Sequence, residues 1–212
     1  MNKLRIIFMI ILLAQGAFGT IRYVSKTGSS TPPYTSWEMA SDSIQKCLNI
    51  CVDGDTVIVA NGIYKESLII NAAITFIGSS MDSCVIDGRN LTRTTIEIFR
   101  DTNISGFNIF GKGIEESPYH TTVIARNPLN INYTIYNCQI SNAYNGVFIG
   151  RSSGMLKNII IKNVYTAVYN LCMTDTCKPK LFNSIIIINK QGESAWLSFD
   201  GGQPTITNNI LV

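Results

Sequence analysis

Five segments of this chain fall into one register: "ISGFNIFG" from Ile104, "IYNCQISN" from Ile135, "LKNIIIKN" from Leu156, "LFNSIIII" from Leu181 and "ITNNILV" from Ile206. Their first positions are Ile104, Ile135, Leu156, Leu181 and Ile206, and their sixth are Ile109, Ile140, Ile161, Ile186 and Leu211. The third column is small or amide: Gly106, Asn137, Asn158, Asn183, Asn208. A further such column follows at Gly111, Asn142, Asn163 and, one residue late, Asn189. Successive segments start 31, 21, 25 and 25 residues apart. Constant rungs joined by connections of varying length describe a strand solenoid, whose insertions fall in outer loops. One rung cannot bury its inward face alone, so it stacks on the next.

The stretch "LKNIIIKNVYTAVYN", residues 156–170, shows why amides interrupt an apolar run. A flat coil must turn sharply between short strands, and Asn tolerates the left-handed backbone of such bends. Stacked coils then place the amides above one another, where they hydrogen-bond as a ladder. Asn137, Asn158, Asn183 and Asn208 are therefore expected to form one turn column, and Asn142, Asn163 and Asn189 part of a second.

Upstream, "TVIVA", "SLIINA", "ITFIG" and "CVIDG" are short strands divided by Gly, Asn or Asp, which makes the class all-β. Before them, Trp37, Ala40, Ile44, Cys47, Leu48 and Cys51 keep a helical period, and Thr35 with Glu38 matches a capping box. That spacing predicts one amphipathic helix over 36–48, ended by the turn signal "DGD".

Residues 1–19 combine a basic start (Lys3, Arg5), an apolar run from Ile6 to Ala14 and small residues Ala17 and Gly19, the parts of a secretory signal peptide. The run is shorter than the roughly 20 apolar residues of a membrane anchor. The expected organisation is a signal peptide over 1–19, an N-terminal strand and capping helix over 20–55, and solenoid coils over 56–212. The last letters, "PTITNNILV", stop in mid-coil, so further coils are expected beyond Val212.

With Lys3 and Arg5 removed, 17 basic residues become 15 against 14 acidic ones, and the formal charge falls from +3 to +1. Scattered charges near neutrality lack the clustered basic footprint of a nucleic-acid binder. An exported chain permits disulfides. Cys172 and Cys177 flank "MTDT" and either close that loop or stay free; Cys47 and Cys51 fall on the helix; Cys84 and Cys138 read as small buried hydrophobes. No Cys or His spacing marks a metal site, so no metal is expected.

The coils, above all "GDTVIVANGIYKESLIINAAITFIGSSMDSCVIDG" over 54–88, resemble the right-handed parallel β-helix of the pectate-lyase-like superfamily. This piece is similar to N-terminal coils of pectin methylesterases and many exported β-helix repeat proteins. The resemblance covers nearly all of the chain after residue 19. It implies a three-sheet right-handed solenoid with the N-terminal helix as cap, and a substrate groove along one sheet.

In this chain the strands of the groove sheet are expected at 121–125, 146–150, 167–171 and 194–198. With Val123, Val147, Val168 and Ala195 inward, alternation turns Ile124, Phe148, Tyr169 and Trp196 outward. Phe148, Tyr169 and Trp196 are the candidate substrate-binding residues, because flat rings with polar edges suit stacking on sugars. A stripe covered by loops or by another domain remains the alternative. Arg126, Arg151, Asp175 and Asp200 lie near the strand ends, where a lyase would place Ca²⁺-binding carboxylates and a proton-abstracting base. A glycoside hydrolase would instead need paired acids.

The sharper motifs of the superfamily are missing. The Asp-Phe-Ile-Phe-Gly-like strand of pectin methylesterases has "GFNIFG" at 106–111 as its nearest counterpart, with Asn108 and no acid. The paired Asp and Gly-His-Gly strings of polygalacturonases are absent, and the single histidine, His120, lies in the loop "EESPYHTT". The sequence thus points to an exported β-helix domain that binds extracellular polysaccharide, with processing, catalytic residues and cofactors undetermined. A non-catalytic cell-surface stalk or adhesin is the alternative.

Overall fold

The computed structural model describes residues 19–91, 94–113, 121–126, 131–172, 177–187 and 195–212, with backbone alone at Arg126, Ala195 and Trp196. The expected signal segment, His120, Asp175 and Asn189 lie outside the described residues. The chain opens with β1 (Ile21–Val24) and α1 (Ile44–Leu48) and then winds in coils. These are β2 (Thr56–Val59), β3 (Gly62–Tyr64), β4 (Leu68–Ile70); β5 (Thr75–Gly78), β6 (Cys84–Asp87), β7 (Ile96–Ile98); and β8 (Thr102–Ser105), β9 (Asn108–Gly113), β10 (Thr121–Arg126). There follow β11 (Asn132–Tyr136) with β12 (Gln139–Gly150), β13 (Ser153–Lys157) with β14 (Ile160–Leu171), then β15 (Lys180–Phe182), β16 (Ile185–Ile187), β17 (Ala195–Asp200), and finally β18 (Thr205–Thr207) and β19 (Ile210–Leu211).

All strand pairs are parallel, and each coil pairs with its neighbours in space. The first face is the sheet β1-β2-β5-β8-β11-β13-β15-β18. The second holds β3, β6, β9, β16, β19 and the first residues of β12 and β14; the third holds β4, β7, β10, β17 and the rest of β12 and β14. This is the all-β three-faced solenoid that the columns predict.

The interior follows from register. Ile104, Ile135, Leu156, Leu181 and Ile206 are successive partners on the first face. Ile109, Ile140, Ile161, Ile186 and Leu211 are successive partners on the second. All are buried except Ile206 and Leu211. Each fully buried isoleucine contributes roughly 1.5–3 kcal/mol over an exposed one. Where one coil carries a large ring, its partner shrinks: Tyr133 pairs with Gly154, whose missing Cβ leaves room for the phenol.

The corner between first and second faces is the predicted amide column. Asn137, Asn158, Asn183 and Asn208 have φ of 51°, 51°, 47° and 54°, and Gly106 has 78°. Asn158 Nδ2 donates to Asn137 Oδ1 at 2.6 Å. At the next bend Asn142 and Asn163 have φ of 62° and 52°; Asn163 Nδ2 donates to Asn142 Oδ1 at 3.1 Å, and Asn142 Nδ2 to the Gly111 carbonyl at 3.2 Å.

The helix expected over 36–48 is not found; only Ile44–Leu48 is helical. The backbone of 38–41 is used elsewhere: Ser29, Thr31 and Ser30 donate to the carbonyls of Glu38, Met39 and Ala40, and Ser41 N donates to Tyr23 O. A segment laid against another in this way has already committed the carbonyls that a helical ladder would need as acceptors. The capping box at Thr35 and Glu38 does not form. Ser43 is the N-cap, and Glu66 from the coil below accepts from Ile44 N at 3.0 Å and Gln45 N at 2.9 Å.

Cys172 and Cys177 are disulfide-bonded, with Cα atoms 6.2 Å apart. Cys84 and Cys138 are buried, and burial pushes both thiols up to about 12, as expected of neutral apolar fillers.

Candidate functional site

The third face carries the candidate groove. Its inward positions, Val123, Val147 and Val168, are buried and in register. Between them the alternation of the strand turns one residue per coil away from the interior, although Ile124, expected outside, is buried. The resulting outer column runs Ile69, Glu97, Ile124, Phe148, Tyr169, Ser198.

Phe148 and Tyr169 are direct partners on β12 and β14, half-buried, with ring centroids 5.5 Å apart and planes tilted by 43°. Trp196 does not join them. Tyr169 pairs with Ser198, while Trp196 lies between the pairs Ala195–Thr166 and Leu197–Val168, two residues out of the expected column. Leu197, rather than Ala195, is the partner of Val168. The connection from β16 to β17 sets where β17 enters, and nothing in its length is fixed by the core columns.

A second aromatic pair stands on the same two strands. Tyr144 and Tyr165 follow the inward pair Ala143–Val164, and their rings stack at 4.5 Å with 19° between planes. Burial, the Tyr165 charge and a hydrogen bond to Tyr165 raise the Tyr144 hydroxyl above its ordinary pKa. The sequence signal was present: "NAYNGVF" at 142–148 and "NVYTAVY" at 163–169 share Asn, Tyr, Val and a ring at the same offsets. Both pairs offer flat apolar surfaces with polar edges.

Charged side chains are sparse here. Glu97 is the acid of the outer column among the described residues. Register aligns Arg126 with Gly150, Gly150 with Leu171 and Leu171 with Asp200, so Arg126 and Asp200 stand three coils apart at matching strand ends. Arg151 is exposed one residue beyond, where its backbone N–H donates to the Leu171 carbonyl. Asp175 lies outside the described residues. Asn108 is on the second face, and its side-chain oxygen accepts from Gln139 Nε2 at 3.0 Å, so the nearest counterpart of the esterase strand points away from the groove sheet. Among the described residues no group of three or more His, Cys, Asp or Glu side chains is placed to hold a metal ion.

No protein-family model matches the chain, and no curated protein matches its sequence. Solved structures do match. Pectin methylesterase PemA from Erwinia chrysanthemi superposes with a TM-score of 0.59 at 11% identity, covering 92% of this chain and 66% of that one. The chain thus spans just under two thirds of the PemA chain. A pectin methylesterase from Aspergillus niger gives 0.55 at 15% identity, covering 92% and 69%. The pectin methylesterase from carrot gives 0.55 at 11%, covering 93% and 90%. What is shared at such identities is the fold, a right-handed parallel β-helix.

Proposed function

We propose that this chain is an exported β-helix domain that binds extracellular polysaccharide along its third face. Export is assigned to residues 1–19 and the coils to 56–212. The observation that carries the reading is the doubled aromatic surface on adjacent coils, Phe148 with Tyr169 and Tyr144 with Tyr165. Rings stacked one per coil give a strip along the solenoid axis, a shape suited to an extended chain of sugar rings. The fold neighbours are named as pectin methylesterases, which makes pectin the first polysaccharide to test.

Processing is the finer part of the proposal. Cleavage of a glycosidic bond needs paired carboxylates, or a base beside a uronate. The described outer column supplies Glu97 alone, so binding is the better supported role. A rigid spacer is the second reading, favoured by the continuous amide corner and the same shortage of acids.

The test is affinity electrophoresis through pectin and polygalacturonate gels, followed by calorimetry. Wild type is expected to be retarded, and Phe148→Ala, Tyr169→Ala and Tyr165→Ala each to lose affinity several-fold with folding intact. A wild-type chain that ignores every polysaccharide tested favours the spacer.

A further inference from the structure

Charge is unevenly placed along the solenoid axis. The described residues from 131 to 187 include Arg151, Lys157, Lys162, Lys178 and Lys180 and no Asp or Glu, whereas those from 19 to 126 contain nine acids, among them Asp53, Asp55, Glu97 and Asp101. Part of that positive charge sits on a face the proposed groove does not use. On the first face, Tyr136 of β11, Lys157 of β13 and Phe182 of β15 are successive register partners. Burial alternates along these strands, so all three point outward: Leu156 and Leu181 are buried, while Lys157 is exposed and Tyr136 and Phe182 half-buried. In the neighbouring outer column Met155 pairs with Lys180, also exposed. Lys178 is exposed beside them, with its backbone N–H bonded to Ser153 Oγ at 3.1 Å. Neither Lys157, Lys178 nor Lys180 forms an ion pair among the described residues.

A cation between two rings, with two more cations on the next coil, is complementary to a chain that alternates apolar ring faces with negative charge. We infer that this part of the first face, Tyr136, Lys157, Phe182, Lys180 and Lys178, is a second binding surface, selective for acidic polysaccharide such as de-esterified polyuronate. The inference rests on the polysaccharide reading but concerns a different face and a different chemical form of the ligand. The third-face rings take sugar faces irrespective of charge, whereas the first-face lysines require free carboxylates. Adjacent coils repeat every roughly 4.8 Å, so charged positions spread over two coils engage neighbouring carboxylates of one extended chain. Exposed charge pairs of this kind are individually weak and are screened by salt, so the surface acts through several of them together.

The experiment compares polygalacturonate with its fully methyl-esterified form, using the whole chain, by calorimetry at low and moderate salt. The double variant K157Q/K180Q is expected to lose about five- to tenfold in affinity for polygalacturonate at low salt, with the loss shrinking as salt is added. Its binding to the esterified polymer and its unfolding midpoint should stay at the wild-type values. Tyr169→Ala, by contrast, should weaken binding to both polymers. If K157Q/K180Q binds polygalacturonate as wild type does, the first-face surface is refuted while the third-face reading stands. If Tyr169→Ala is silent and K157Q/K180Q alone matters, the first-face surface stands and the third-face reading falls. A wild type that binds neither polymer overturns both.

Discussion

The coils before residue 126 and those after residue 131 close their corners with different chemistry. In the earlier coils a carboxylate accepts backbone N–H groups where the chain enters the first face. Asp53 Oδ1 accepts from Ala73 N at 2.8 Å and Asp101 Oδ1 from Asn132 N at 2.9 Å. Asp55 accepts from Thr20 N at 2.7 Å, Val52 N at 3.1 Å and Arg22 Nε at 2.8 Å. In the later coils the same entry is closed by a neutral group, Ser153 Oγ accepting from Lys178 N, and the other two bends are tied by amide side chains, Asn158 to Asn137 and Asn163 to Asn142. A carboxylate makes the stronger acceptor, but it brings a charge that must be neutralised when buried. An amide both donates and accepts, so it can repeat coil after coil without accumulating charge. The later half is thereby free to carry uncompensated lysines on its surface.

The largest test of this contrast is Asp55→Ala. Asp55 and Arg22 are both buried, and removing one partner of a buried ion pair costs roughly 3–5 kcal/mol. Burial alone would raise the Asp55 pKa, but the hydrogen bonds from Thr20, Val52 and Arg22 outweigh it and hold the carboxyl below its ordinary 3.8. Because the folded value is the lower one, the stabilisation is full above the unfolded value and is lost as pH falls through the folded one. Denaturant titrations should therefore show the wild type converging on the Asp55→Ala variant only in strong acid. Constant separation at all pH values would break the contrast.

Next in size is Ile161→Ala, in the later half, where the side chain is fully buried between Ile140 and Ile186. The expected loss is roughly 2–5 kcal/mol, read as a shift in denaturation midpoint. Unlike the Asp55 effect, it should not vary with acid. Smaller again is the corner itself. Asn158→Ala puts at φ 51° a side chain that lacks the Asn amide's tolerance of the left-handed region and removes the amide donor to Asn137, for about 1–2 kcal/mol. Asn158→Gly keeps the backbone free and should cost about 1 kcal/mol or less, so their difference separates backbone strain from the ladder bond. Smallest for stability are Phe148→Ala and Tyr169→Ala, within about 1 kcal/mol by thermal unfolding, since the partner ring remains and both side chains are half-exposed.

What could be read from the letters alone follows the same division between inside and outside. The columns of Ile104 and Ile109 and the amides at Asn137 to Asn208 were legible because stacking forces one residue type to recur at one offset. The bridge between Cys172 and Cys177 was one of two open outcomes. Trp196 was misplaced because the span before β17 has no such constraint; only the paired backbone shows Ser198 beside Tyr169. The 36–48 helix failed because a local period at Trp37, Ala40 and Ile44 lost to hydrogen bonds made with residues 23–31. Tyr144 and Tyr165 recur in two motifs of equal length, but they stand just past the Asn142 and Asn163 bends, outside the strand-centre alternation that marks the groove sheet.

The parallel register has a mechanical consequence. Among the described residues each inner strand is bonded sideways to the coil before and the coil after, and β1, β3, β4, β17, β18 and β19 to one coil only, so damage cannot be shared across the whole molecule. A lesion at Ile161 should weaken most the coils stacked directly on it, the end holding the Arg22–Asp55 pair keeping its protection longest. Amide exchange would then fall off from coil to coil along the axis, like a zipper opened at a chosen tooth.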